Sequence, residues 1–264
     1  MLPKLYFIFG LGILIAACSD SSSGVPAPGA ESIKPTGATL VFVDKTVSNH
    51  FDSAQISNWT ADIMPHLRMA YRQNGDRFRI IPVHENTMGA HPLFDGTFEV
   101  EELADLEAYG KSTQRRMQEE FQESQLLTKR TAQRALQRAL DAPIARAVAQ
   151  ETDLWGTFEL CSRYFQTLPT ADRYLIYYSD MIESKRGPDR RDYHRRPFKS
   201  RDAAHKAATA DAELIRAQYD LNPDILRGTE VRMVFPNRSF ERNDSEYYRY
   251  YWEALFGQFG MEVE

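Results

Sequence analysis

The chain has 264 residues, with 32 Lys plus Arg against 37 Asp plus Glu and a formal net charge of −5. Its 42% hydrophobic and 26% charged residues match a folded chain and exclude wholesale disorder, and the mildly acidic balance gives no global field to draw in nucleic acid. Two cysteines, Cys18 and Cys161, are too few for a disulfide framework or a four-thiolate zinc site.

Lys4 opens the chain with a positive charge, and an apolar run follows from Leu5 to Ile15. Spanning a bilayer takes about 20 apolar residues, so the run suits the apolar region of a secretory signal instead. The tetrad Ile15-Ala16-Ala17-Cys18 resembles the lipobox of bacterial lipoproteins. That resemblance implies removal of residues 1–17 and lipidation of Cys18, which anchors the chain to a membrane. Ser19 to Gly37 is rich in Ser, Gly and Pro and reads as a flexible tether, leaving 38–264 as one folded domain. Among such lipoproteins, Asp directly after the cysteine favours the inner membrane. Ser19 therefore points to the outer membrane, with the domain facing the periplasm.

In the domain, Ala38 to Val43 (ATLVFV) is a continuous apolar run and reads as a buried parallel strand. Ile56, Trp59, Ile63, Leu67 and Ala70 predict a helix over 53–72, interrupted by Pro65. A second strand follows at Arg77 to Val83, and 84–97 reads as irregular. A long helical stretch covers about 101–150, with breaks at Gly110 and Pro143. A helix from Leu154 to Gln166 then leads to a third strand, Arg173 to Ser179. Met181 to Tyr219 is a charged loop and helix, Val231 to Phe235 the last strand, and Ser245 to Phe259 the last helix. This alternation predicts a single Rossmann-like α/β domain, with a mostly parallel central sheet flanked by helices and a long helical insertion.

Ligands of such sheets bind beyond the carboxyl ends of the strands. Asp44-Lys45-Thr46-Val47-Ser48 follows the first strand there, and Ser179-Asp180 ends the third. Thr152-Asp153 precedes a helix between them. Two carboxylates and several hydroxyls, with no His or Cys, suit Mg²⁺, Mn²⁺ or Ca²⁺. Asp44, Thr46 and Ser48, with Thr152 and Asp180, resemble the metal-ion-dependent adhesion site of von Willebrand factor A domains. The resemblance covers about 39–259. It implies that these five residues hold a divalent cation, normally Mg²⁺, and that an acidic group of a partner protein completes its coordination. The sequence departs from the pattern at Thr46, where Ser is usual, and at Met181, where Gly often follows the Asp. The family's short third edge strand is expected to be replaced by the long helical stretch.

Lys185, Arg186, Arg190, Arg191, Arg195 and Arg196 form a basic run next to this site and could contact a partner, although Asp189, Asp192 and Asp202 dilute it. The helical stretch 111–140 either packs one face on the sheet or projects as an arm for association. His84, Glu85 and His91 fit no zinc spacing, and no phosphate loop or nucleophile elbow is present. Cys161, flanked by apolar residues, reads as a core thiol.

The expected function is divalent-metal-assisted binding of a protein by a membrane-anchored domain, with no nucleic-acid partner. Its alternative is Mg²⁺-dependent phosphoryl hydrolysis on the same carboxylates. A phospho-aspartate hydrolase needs a second Asp where Thr46 stands, which argues for binding over catalysis. A solute-binding lipoprotein would need two lobes and ranks last.

Overall fold

The structure is a computed structural model. It describes residues 37–46, 61, 65, 75–97, 109–141, 150–168, 172–235 and 245–264. The signal, most of the tether, Ser48 and all of the expected helix 53–72 but Ala61 and Pro65 lie outside them. The described residues belong to one compact unit, Ile33–Glu264.

Six strands form one sheet: β1 (Gly37–Asp44), β2 (Arg77–Val83), β3 (Phe94–Thr97), β4 (Asp172–Tyr178), β5 (Glu230–Val234) and β6 (Glu262–Val263). Their order is β3-β2-β1-β4-β5-β6, parallel except for β3, which runs antiparallel to β2. The helices are α1 (Lys111–Asp141), α2 (Gly156–Gln166), α3 (Arg201–Gln218), the single turn α4 (Pro223–Leu226) and α5 (Ser245–Gln258). A 3₁₀ turn covers Thr87–Gly89. The mostly parallel α/β architecture expected from the sequence is the one the chain adopts.

All eight residues of β1 are buried, as a central parallel strand covered on both faces requires. Leu40, Phe42, Ile81, Leu175, Tyr177 and Val231 face a core built with α2, α3 and α5. Val41, Val43, Phe78, Ile80, Ile176 and Tyr178 are buried outside that core. Phe42 stacks on Tyr177 across the β1–β4 pair, with centroids 5.0 Å apart. The expected stripe of the last helix is buried in full: Tyr248, Trp252, Leu255, Phe256 and Phe259. Gly260, at φ 70°, ends that helix. The Met261 N–H then reaches back to the Phe256 carbonyl (3.1 Å), the bond of a Schellman cap, and the chain turns into β6.

Two expectations need correction. The edge strand expected to be missing is present as β3, inside the stretch 84–97 that reads as irregular. Only four residues long, with Gly96 at its centre, β3 carries too little periodicity to register; its bonds to β2 define it. The strand β6 was also unforeseen, because two residues give no pattern at all. None of the described side chains of α1 is buried; Met117, Phe121, Gln125 and Thr128 are half-buried along one side. Among the described residues no helix is long and apolar enough to cross a membrane.

Candidate metal centre

The strand order reverses between β1 and β4, and the crevice at their carboxyl ends is where a sheet of this type takes its ligand. Asp44 is the last residue of β1, and its register partner in β2 is Val83. Because β1 is central, the Asp44 side chain is fully enclosed.

Two chain segments bond to that carboxylate, and a third joins through Thr46. Its Oδ1 accepts from the Thr46 N–H (3.0 Å) and from Thr46 Oγ1 (2.8 Å). Its Oδ2 accepts from Ser179 Oγ (2.6 Å), at the end of β4. Thr152 Oγ1 donates to Thr46 Oγ1 at 3.1 Å, bringing in the segment before α2. Asp180, 7% exposed, accepts from the Ile182 N–H through Oδ1 (3.1 Å). Of the residues expected here, Asp44, Thr46, Thr152 and Asp180 are thus gathered at one edge of the sheet. Ser48 lies outside the described residues. Ser179 belongs with them and was missed as a site residue, although it stands beside Asp180 in the sequence.

Asp44 is the electrostatic centre of the cluster. Burial, and then the neighbouring Asp180 carboxylate, push its pKa up from 3.8 to about 7, against the hydrogen bonds from Ser179 and Thr46. Two carboxylates enclosed side by side repel, and a cation between them would remove that repulsion. The donors are hard oxygens, which suits Mg²⁺, Mn²⁺ or Ca²⁺. Octahedral ligands of Mg²⁺ at 2.0–2.1 Å lie about 2.9 Å from one another. In this structure the oxygen pairs at 2.8 and 3.1 Å are hydrogen bonds, which ligation of a cation by the same oxygens would replace. The residues present therefore fit a small divalent cation. Among the described residues no three His, Cys, Asp or Glu side chains gather, so nothing there resembles a zinc cage.

A second group of charges fixes the position of Thr152. Its N–H donates to Ser184 Oγ (2.8 Å), and its carbonyl accepts from the Ser184 and Lys185 N–H groups (3.1 and 3.2 Å). Glu183, fully buried, accepts from the Leu154 and Trp155 N–H groups (2.7 and 3.1 Å) at the start of α2. Asp153 accepts from the Gly156 N–H (3.0 Å). Arg190 bridges Asp153 and Glu183 at 2.5 Å each and lies over the Trp155 ring. Burial pushes Glu183 up to about 7 against the pull of Arg190. Neither Glu183 nor Arg190 was legible as a supporting residue, since the contact joins positions about thirty residues apart.

The basic run is neutralised more than its composition implies. Lys185 pairs with Asp153, Arg186 with Glu151, Arg191 with Asp211, and Arg195 with Asp192. Arg190, its side chain 6% exposed, faces inward and serves the α2 junction, so it offers no outward charge to a partner. Arg186, Arg195 and Arg196 are exposed on the rim of a cleft of about 860 Å³, opposite Lys206, Ala207, Ala210 and Leu214 of α3.

Met181, where the family pattern often has Gly, holds φ 58°. It is fully buried, its N–H donates to Ser179 Oγ (2.9 Å), and its carbonyl accepts from Trp252 Nε1 (2.6 Å). The left-handed backbone that glycine would take is kept here by packing and two hydrogen bonds. Cys161 is fully buried, and burial pushes its thiol pKa well up, as a core thiol requires.

No protein-family model matches the chain, and no curated protein matches it. Solved structures similar to it include proximal thread matrix protein 1 from the mussel byssus, at 11% identity over 84% of this chain and 48% of that one, TM-score 0.38. The pilus adhesin SpaC from Lactobacillus rhamnosus GG is 11% identical over 88% of this chain and 28% of its own, TM-score 0.41. A von Willebrand factor type A protein from Catenulispora acidiphila is 10% identical over 86% and 42%, TM-score 0.35. The chain spans less than half the length of each of these structures.

Proposed function

We propose that the chain is a von Willebrand factor A-like protein that binds a partner protein with the help of a divalent cation, Mg²⁺ in the first place. The observation that carries this reading is the enclosed Asp44 carboxylate beside Asp180, ringed by the hydroxyls of Thr46, Thr152 and Ser179. Asp44, Thr46, Thr152 and Asp180 would hold the ion, with Ser48 as the further hydroxyl the sequence pattern supplies. The bound ion supplies one electrophilic position for an acidic side chain of the partner. Ser179 orients Asp44, and the Ser184 and Glu183 contacts hold the Thr152 segment in place. The sequence of residues 15–18 supports a lipid anchor at Cys18, with the domain held off the periplasmic face of the outer membrane by the tether.

Thermal melting with Mg²⁺, Mn²⁺, Ca²⁺ or chelator tests the ion. A cation at a hundred times its Kd stabilises by about 2.7 kcal/mol, a rise of about 5–10 °C for a domain of this size. Thr152→Val and Asp44→Asn should each abolish most of that rise while leaving a cooperative transition. If no ion shifts the transition, or both variants respond like the parent chain, the reading fails.

A further inference from the structure

We propose that two copies of this chain associate through the outward face of α1, with the helices antiparallel and a two-fold axis passing between Leu126 and Leu127. The helix has 31 residues and is about 46 Å long. Its half-buried positions include Met117, Phe121, Gln125 and Thr128, which share one side. On the opposite side, Glu119, Glu123, Leu126, Leu127, Arg130 and Arg134 fall within about 100° of one another at 100° per residue. All six are exposed. Leu126 and Leu127 are 48% and 61% exposed, the two most exposed large hydrophobic side chains among the described residues.

The charges around this apolar centre divide by sign. Within two turns of it, Glu119 and Glu123 lie before, and Arg130 and Arg134 after; Arg116, exposed on the same face one turn further out, pairs with Glu120 (3.6 Å) and falls opposite Gln137. Among the described residues neither arginine has an ion-pair partner. A face with one sign on each side of its centre is complementary to itself only when turned end for end, which is the isologous contact of a two-fold dimer. The axis between Leu126 and Leu127 sets each leucine against the other leucine of the second copy. It places Glu123 opposite Arg130 and Glu119 opposite Arg134, and does so twice. A parallel pairing in register would instead set Glu on Glu and Arg on Arg. Arg115 falls opposite Arg138, an unfavourable match eased by the pairing of Arg115 with Glu119 at 2.9 Å. A weak, concentration-dependent dimer is what four leucines, two from each copy, and four exposed ion pairs can support.

Sedimentation equilibrium of the 264-residue chain in density-matched detergent tests this. The parent chain should show a reversible monomer–dimer equilibrium. Glu123→Arg and Arg130→Glu should each weaken it about tenfold or more, and the double reversal should restore it. Both substitutions are at exposed helical positions, and circular dichroism of each variant checks that the fold is kept. A chain that stays monomeric up to the solubility limit would overturn the proposal. So would a dimer insensitive to the single reversals, or one that the double reversal does not recover.

Discussion

Asp44 sits at the end of a strand whose every residue is enclosed, so its charge state is set by its neighbours and not by solvent. A carboxyl raised from 3.8 to about 7 binds its proton more tightly in the folded than in the unfolded chain. Its contribution to stability is therefore fully present below about pH 4 and is lost as pH rises through 7. Without divalent cations, the melting temperature should fall across that window, and Asp44→Asn should flatten the fall; melts at half-unit pH steps read it directly. Met181 gives a second residue-level test. Replacing it with Gly relieves about 1–2 kcal/mol of left-handed strain but empties a fully buried site, at a cost of about 2–5 kcal/mol. Loss of the side chain wins, and urea denaturation should show Met181→Gly less stable by about 2 kcal/mol.

At the level of elements, the start of α2 concentrates buried charge. Glu183 accepts two N–H groups there and holds Arg190. Glu183→Ala leaves a buried guanidinium short of a partner and two helix donors unmet, and should cost about 3–5 kcal/mol. Glu183→Gln keeps an acceptor for the helix and should cost less. The same variants should weaken any divalent-ion response, because the Thr152 segment is tied to Ser184 and Lys185 next door. This arrangement also marks how far the sequence could be read. The strands β1, β2, β4 and β5 were legible because each is a dense run of apolar or aromatic residues. Asp44, Thr46 and Asp180 were legible because they abut those runs. β3, β6 and the Glu183–Arg190 clamp were not, since short strands carry no period and a contact between distant segments leaves no local trace. The pairing of the basic run was legible only in part: Asp192 stands beside Arg195, whereas Glu151, Asp153 and Asp211 lie on other segments.

At the level of the molecule, the place of β1 governs how the chain reaches its fold. Ala38 pairs on one side with Arg77 and on the other with Arg173, so its second neighbour is 135 residues further along the chain. Closing so long a loop forfeits chain entropy before any contact rewards it, and proteins rich in such pairings fold slowly. Diluted from denaturant, the chain should refold well below the rates of helical bundles of its size, with β4–β1 docking late. Stopped-flow fluorescence can follow this step through Trp155 and Trp252, both packed in the core that β4 completes. During synthesis the consequence is sharper. The most apolar strand emerges first and waits, with one edge unpaired, until more than half the chain has followed. The export proposed above would draw on that delay, because a chain that cannot close its sheet early remains threadable until it has crossed.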